Sequence, residues 1–231
     1  MATLLGGISG YGSGLIALPF LVWLLGDAHL CAHILLITGL CQSVQLVVRN
    51  WGIVDWKTVG WMVVFAGIGM PLGYFYVTHL PQRTSLLILG CVVFFGGLPP
   101  IWGKPIQFSE AARKPMSALF FMIGGIIQGS YTTGGGPIVI GLFQLIRDKA
   151  LFRATLIAFW TLVNGTLLLC NTVDGEMTRP SWLLGLIAIP FVILGGQSGQ
   201  RLADKMSQRR FEQFVGALLT LSGLVMVARN L

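Results

Sequence analysis

The chain is a succession of apolar runs separated by short polar stretches, at roughly 1–25, 31–48, 58–78, 85–102, 116–146, 154–170, 182–200 and 212–228. A run of about 20 apolar residues has the length of a helix crossing a hydrocarbon layer about 30 Å thick. The fifth run is too long for one straight span and carries G-S-Y-T-T-G-G-G-P in its middle. It predicts two half-helices, 116–128 and 138–146, that meet at depth. Pro137 falls in the first turn of the second, where its missing N–H is not needed. The first run is broken in the same way by G-I-S-G-Y-G-S-G, starting at Gly7. Lipid cannot satisfy the backbone groups that such breaks free, so each must be buried in protein or line a wet cavity.

The two breaks belong to a longer repeat. At an offset of 122, Gly12, Gly14, Ile16, Ala28 and Ala32 match Gly134, Gly136, Ile138, Ala150 and Ala154. After a four-residue insertion, Trp56, Gly69, Gly73, Arg83, Gly90, Gly97 and Leu98 match Trp182, Gly195, Gly199, Arg209, Gly216, Gly223 and Leu224 at an offset of 126. A unit of four apolar segments thus occurs twice, as residues 1–103 and 104–231 of one membrane domain, with a polar linker at 104–114. By the offset of 122 the counterpart of Met116 lies seven residues before Met1, so the first half-helix is abbreviated or the natural product starts upstream.

Charge decides the topology. If all eight segments cross, the two sides of the membrane carry eight and seven basic residues, which orients nothing. If the two broken segments instead enter and leave on one side, only Arg83, Arg179 and Arg229 stand apart from the other twelve. That asymmetry is what the positive-inside rule expects. With three crossings per half, the fold expected is an all-α integral membrane protein of two inverted repeats, each a re-entrant or broken glycine-rich segment followed by three transmembrane helices. The C-terminus then lies on the non-cytoplasmic side.

Composition agrees. Of 231 residues, 55% are hydrophobic and 10% charged, against about 25% charged in soluble domains. The net charge of +7 sits in short loops and orients the chain in the bilayer; with no basic patch interleaved by aromatics, nucleic acid is excluded as a partner. The four cysteines, Cys31, Cys41, Cys91 and Cys170, lie in apolar runs without metal-ligand spacing and read as small buried hydrophobes. No metal and no cofactor are expected, and no cleavable signal peptide is visible.

The chemistry centres on the breaks. A half-helix that begins inside the membrane aims its free N–H groups and positive dipole end at the midplane, and successive glycines let several amides converge on an anion. The second break offers Thr132, Thr133, Gly134, Gly135 and Gly136; the first offers Tyr11, Gly12, Ser13 and Gly14, beside Ser9. Gln42 and Asn164 occupy repeat-equivalent places within spans and serve either as donors to an oxyanion or as glue between helices. Trp160 and Thr161 stand one turn before Asn164. No carboxylate or basic residue lies clearly inside a span: Arg147, Asp148, Lys149 and Arg153 read as a junction whose cations snorkel to the interface. His33 reads as a satisfied or interfacial histidine. No His/Asp/Glu or Ser/His/Asp cluster supports an enzyme.

The run G-G-G-P-I-V-I-G-L-F followed by D-K-A-L-F-R-A-T-L-I-A-F-W-T-L-V-N resembles the second-half signature of the sulfite exporter TauE/SafE family. W-G-I-V-D-W and the later Leu-Pro-x-Arg turn resemble its first half, so the likeness covers nearly the whole chain. It implies a multi-pass protein of the bacterial inner membrane that moves a small sulfur-containing oxyanion or organosulfonate. The partners implied are that anion and the lipid bilayer, with a homodimer as the assembly considered. Tyr11 and Ser13 interrupt what is a glycine run in the family, which leaves the symmetry of the site open. A secondary carrier working by alternating access around a midplane site is the reading taken forward. A passive anion channel is the alternative.

Overall fold

The structure is a computed structural model that describes residues 2–10, 17, 21, 23–77, 82–102, 108–131 and 135–230. Among these residues there is no strand. The helices are α1 (Ala2–Ser9), α2 (Ala28–Asn50, followed by a 3-10 turn Trp51–Ile53), α3 (Trp56–Val77), α4 (Gln82–Ile101), α5 (Glu110–Tyr131), α6 (Gly135–Leu145), α7 (Lys149–Val173), α8 (Arg179–Lys205) and α9 (Gln208–Asn230). Three stretches of the described residues are long and apolar enough to cross a membrane: His29–Ile53, Lys149–Val173 and Arg179–Lys205. Their outer faces carry large exposed apolar side chains, such as Leu169, Phe191 and Leu194. Water would not tolerate such faces in bulk, whereas acyl chains cover them.

Acidic caps start two of the long helices. Asp27 accepts the Leu30 amide (3.0 Å) before α2. Asp148 accepts the amides of Ala150 (3.0 Å) and Leu151 (2.8 Å) before α7. Both satisfy donors that a helix start leaves free.

The chain divides into two compact units. Unit 1 comprises residues 1–55 and 153–205; unit 2 comprises 56–152 and 206–231. In unit 1, α8 packs against α1 and α2. A methyl group built on Gly7 of α1 would lie 2.5 Å from the Gly196 carbonyl oxygen of α8, and one on Gly195 would lie 2.1 Å from Thr3 Oγ1. In unit 2, α3 packs on α5 at the same register. A methyl on Gly129 would lie 2.2 Å from the Met70 carbonyl oxygen, and one on Gly69 would lie 2.3 Å from that of Met122. Shifted by the repeat offsets, Gly129 and Met70 become Gly7 and Gly196. Two helix crossings are therefore built from equivalent positions.

The remaining crossing in unit 2, α4 against α9, pairs repeat-equivalent helices directly. Gly97 meets Gly216 and Thr220, while Gly223 meets Gly90 and Phe94, so the two helices run antiparallel. An aromatic cluster closes this unit near the loop before α7: Phe143 stacks on Phe152 (centroids 4.4 Å apart), and Phe152 meets Phe211 edge-on at 5.9 Å. Gln208 accepts the Lys149 amide at 3.0 Å and donates to the Arg147 carbonyl, so this basic corner is pinned to the start of α9.

Three sequence expectations change. The 116–128 half-helix is a helix of 22 residues, because α5 begins at Glu110 inside the expected linker and ends at Tyr131. Hydropathy marks the part of a helix that meets hydrocarbon, not where its hydrogen bonds begin, and Pro115 lies inside the helix, where it removes one such bond. The 138–146 half-helix is α6, 11 residues long and starting at Gly135. Cys91 and Cys170 are exposed on their helices rather than buried; Cys31 is buried and all four are free thiols.

Candidate functional site

The second break is positioned by the hairpin that α5 and α6 form in unit 2. A methyl on Gly141 would lie 2.9 Å from Phe120 Cβ and from Phe121 Cε1, so α6 runs back along α5. Every residue from Gly135 to Gln144 is buried. At about 1.5 Å per residue, the 11 residues extend about 16 Å, half of a hydrocarbon layer. Gly136 admits no side chain, because its methyl would lie 2.5 Å from Val93 Cγ2 of α4. Pro137 is the third residue of α6, in its first turn as expected. The free amides and positive dipole end of α6 therefore stand at the break. Thr132, Thr133 and Gly134 lie outside the described residues.

The first break opens in unit 1 at the end of α1. Gly10 takes a left-handed backbone (φ 73°), and its amide bonds to the Gly6 carbonyl at 2.8 Å. This is the helix-ending geometry that glycine adopts without a Cβ penalty. Tyr11, Gly12, Ser13 and Gly14 lie outside the described residues.

Gln42 is buried and donates from Nε2 to the Thr3 carbonyl of α1 at 2.6 Å. It therefore ties α2 to α1, the glue role among the two left open. Gln42→Leu keeps most of the volume and removes the donor. It is expected to lower the thermal unfolding midpoint by about 2–4 °C, from about 1 kcal/mol for one buried hydrogen bond. An unchanged midpoint would show that the bond contributes nothing.

Asn164 lies against α2, its Nδ2 3.4 Å from where a Gly39 methyl would stand, one turn from Gln42. Trp160, four residues earlier on the same face of α7, has a buried indole N–H with no acceptor among the described residues. A buried donor left unpaired costs about 1–3 kcal/mol, and an oxyanion or a water would relieve it. Gln42, Trp160 and Asn164 all belong to unit 1, and Gly135 and Gly136 to unit 2.

Arg153 is the residue the sequence misassigned. Its side chain is only 6% exposed and does not snorkel. Nη2 donates to the Gly7 carbonyl at 2.9 Å, and Nη1 to Asp204 Oδ1 at 3.1 Å. The C-terminal end of a helix carries bare carbonyls and partial negative charge, and a guanidinium matches both. The available signal was an arginine flanked by buried-type residues (Phe152, Ala154) a turn inside an apolar helix. His33 is buried with Nε2 4.0 Å from Glu176 of the α7–α8 loop.

Comparison with known proteins places the chain among membrane transporters. The chain is 24% identical over 184 residues to a protein of Comamonas testosteroni named "Probable inner membrane transporter protein TsaS", covering 76% of this chain and 73% of that one. It is 24% identical over 215 residues to a "Probable membrane transporter protein" of Haemophilus influenzae, covering 84% and 79%. No solved structure matches it. Residues 1–226 match the family described as Sulfite exporter TauE/SafE, and the chain belongs to that family of membrane transporters.

Proposed function

We propose that the protein is a secondary carrier of the bacterial inner membrane for a small anion, a sulfur-containing oxyanion or an organosulfonate. It works by alternating access of two inverted repeats around the glycine breaks. The observation that carries this reading is α6, a buried half-length helix whose amide end opens on T-T-G-G-G. Membrane carriers use such interrupted helices to hold an anionic group at depth. The buried Trp160 N–H, without an acceptor among the described residues, adds a donor of the right kind. The inverted arrangement draws support from the antiparallel crossing of the equivalent helices α4 and α9 and from the matched crossings of α1 with α8 and α5 with α3.

Gly135→Leu is expected to abolish counterflow of radiolabelled sulfite, thiosulfate or sulfoacetate in proteoliposomes while leaving membrane insertion intact. The substrate is first chosen from these by thermal shift. Undiminished counterflow in this variant would remove the break from the site. One observation favours a passive channel instead: among the described residues no carboxylate is buried to couple transport to a proton or sodium ion. Unitary currents in a planar bilayer would decide for that reading.

A further inference from the structure

The outward face of α8 changes character along its length. Ile187, Phe191 and Leu194 are exposed and apolar. The same stripe continues through Ser198 and Leu202 to Arg201 and Lys205, all exposed. At about 100° per residue these seven positions fall within an arc of about 100° on one helix face. Ser198, Arg201, Leu202 and Lys205 line a shallow groove that is open to its surroundings. The one carboxylate in this stretch, Asp204, is engaged by Arg153 at 3.1 Å, and among the described residues neither Arg201 nor Lys205 has an ion-pair partner.

We propose that this face is a binding site for an anionic phospholipid. Its phosphate is held by Arg201, Lys205 and the Ser198 hydroxyl, and one acyl chain lies along Leu194, Phe191 and Ile187. The dimensions fit, since Ile187 and Arg201 are 14 residues apart, about 21 Å along the axis, close to the length of one leaflet's acyl chain with its glycerol. The chemistry fits as well. Two unneutralised cations on one helix face hold a phosphate that carries a net negative charge, and a zwitterionic headgroup brings its own ammonium and gains less. The site rests on the membrane setting of α8 and not on the carrier reading, so either can fail alone.

The test is native mass spectrometry of the purified full chain in detergent, titrated with equal amounts of phosphatidylglycerol and phosphatidylcholine of matched chains. The wild type is expected to retain phosphatidylglycerol preferentially. Arg201→Gln with Lys205→Gln is expected to reduce that preference about tenfold, from the loss of two surface cations. Lys114→Gln with Arg210→Gln removes the same charge from unit 2 and is expected to keep it. Leu194→Gln is expected to lower retention of both lipids without changing their ratio. Equal retention of the two lipids by the wild type overturns the proposal, as does a preference that survives loss of Arg201 and Lys205. Displacement of phosphatidylglycerol by equimolar inorganic phosphate also overturns it, because the acyl stripe would then play no part.

Discussion

Leucine at Gly129 is expected to leave almost no folded protein in the membrane. The Cβ of any residue there would sit 2.2 Å from the Met70 carbonyl oxygen, and at Gly125 a Cβ would meet the Ala66 carbonyl at the same distance. These neighbours are backbone atoms, so no rotamer change relieves the clash, and α5 and α3 must part by more than an ångström. Dispersion between close-packed surfaces falls off steeply with such a gap, and in lipid it is a large part of what holds helices together. Overpacking by a methylene or two costs about 1–3 kcal/mol in soluble cores; leucine adds three carbons beyond the clashing Cβ. The matched control is Gly67→Leu on the facing helix α3, an exposed position with nothing within 4 Å of the added Cβ. A fluorescent fusion run on size exclusion in mild detergent should give a monodisperse peak for the control and aggregate for Gly129→Leu. Equal peaks would mean that this crossing does not determine the fold.

The same pair of glycines marks what the sequence disclosed and what it withheld. At about 100° per residue Gly67 and Gly69 stand on opposite sides of α3, and Gly69 is pressed against Met122 while Gly67 faces open space. Which side of a helix is covered depends on the neighbour that arrives, and periodicity in one segment carries no information about that. Local constraints fared better. Pro137 has a fixed φ that suits the first turn of a helix, and α6 starts two residues before it. Close helix crossings demand small residues, and Gly7 and Gly129, which match at the sequence offset, both stand at one. Gln42 was ambiguous because its acceptor, Thr3, is 39 residues away. A hydrogen bond of that span leaves no mark on the pattern of either segment. The same reason hid the partners of Arg153, one of which is 146 residues distant.

Arg153→Ala is therefore expected to be the most damaging polar substitution in unit 1. Breaking a buried charge pair by removing one partner costs about 3–5 kcal/mol, and two separate losses contribute here. The Gly7 carbonyl at the end of α1 is left bare, at about 1–3 kcal/mol for a buried acceptor, and the negative end of that helix loses its counter-charge. Asp204 loses its partner too, but its side chain is 57% exposed and water replaces most of what the guanidinium gave. An ordering of variants follows. Asp204→Asn is expected to be mild, because Arg153 keeps Gly7. Arg153→Lys is expected to be intermediate, since one ammonium on a shorter reach cannot serve a carbonyl and a carboxylate in the fork geometry that arginine offers. Arg153→Ala with Asp204→Ala is expected to recover little relative to Arg153→Ala alone, because the bare carbonyl remains. Thermal unfolding in detergent reads the series, with a drop on the order of 10 °C for Arg153→Ala at about 2–4 °C per kcal/mol in a domain of this size. If Asp204→Asn proves as harmful as Arg153→Ala, the carboxylate rather than the end of α1 is what the guanidinium serves. The link from this buried cation to the first glycine break would then be lost.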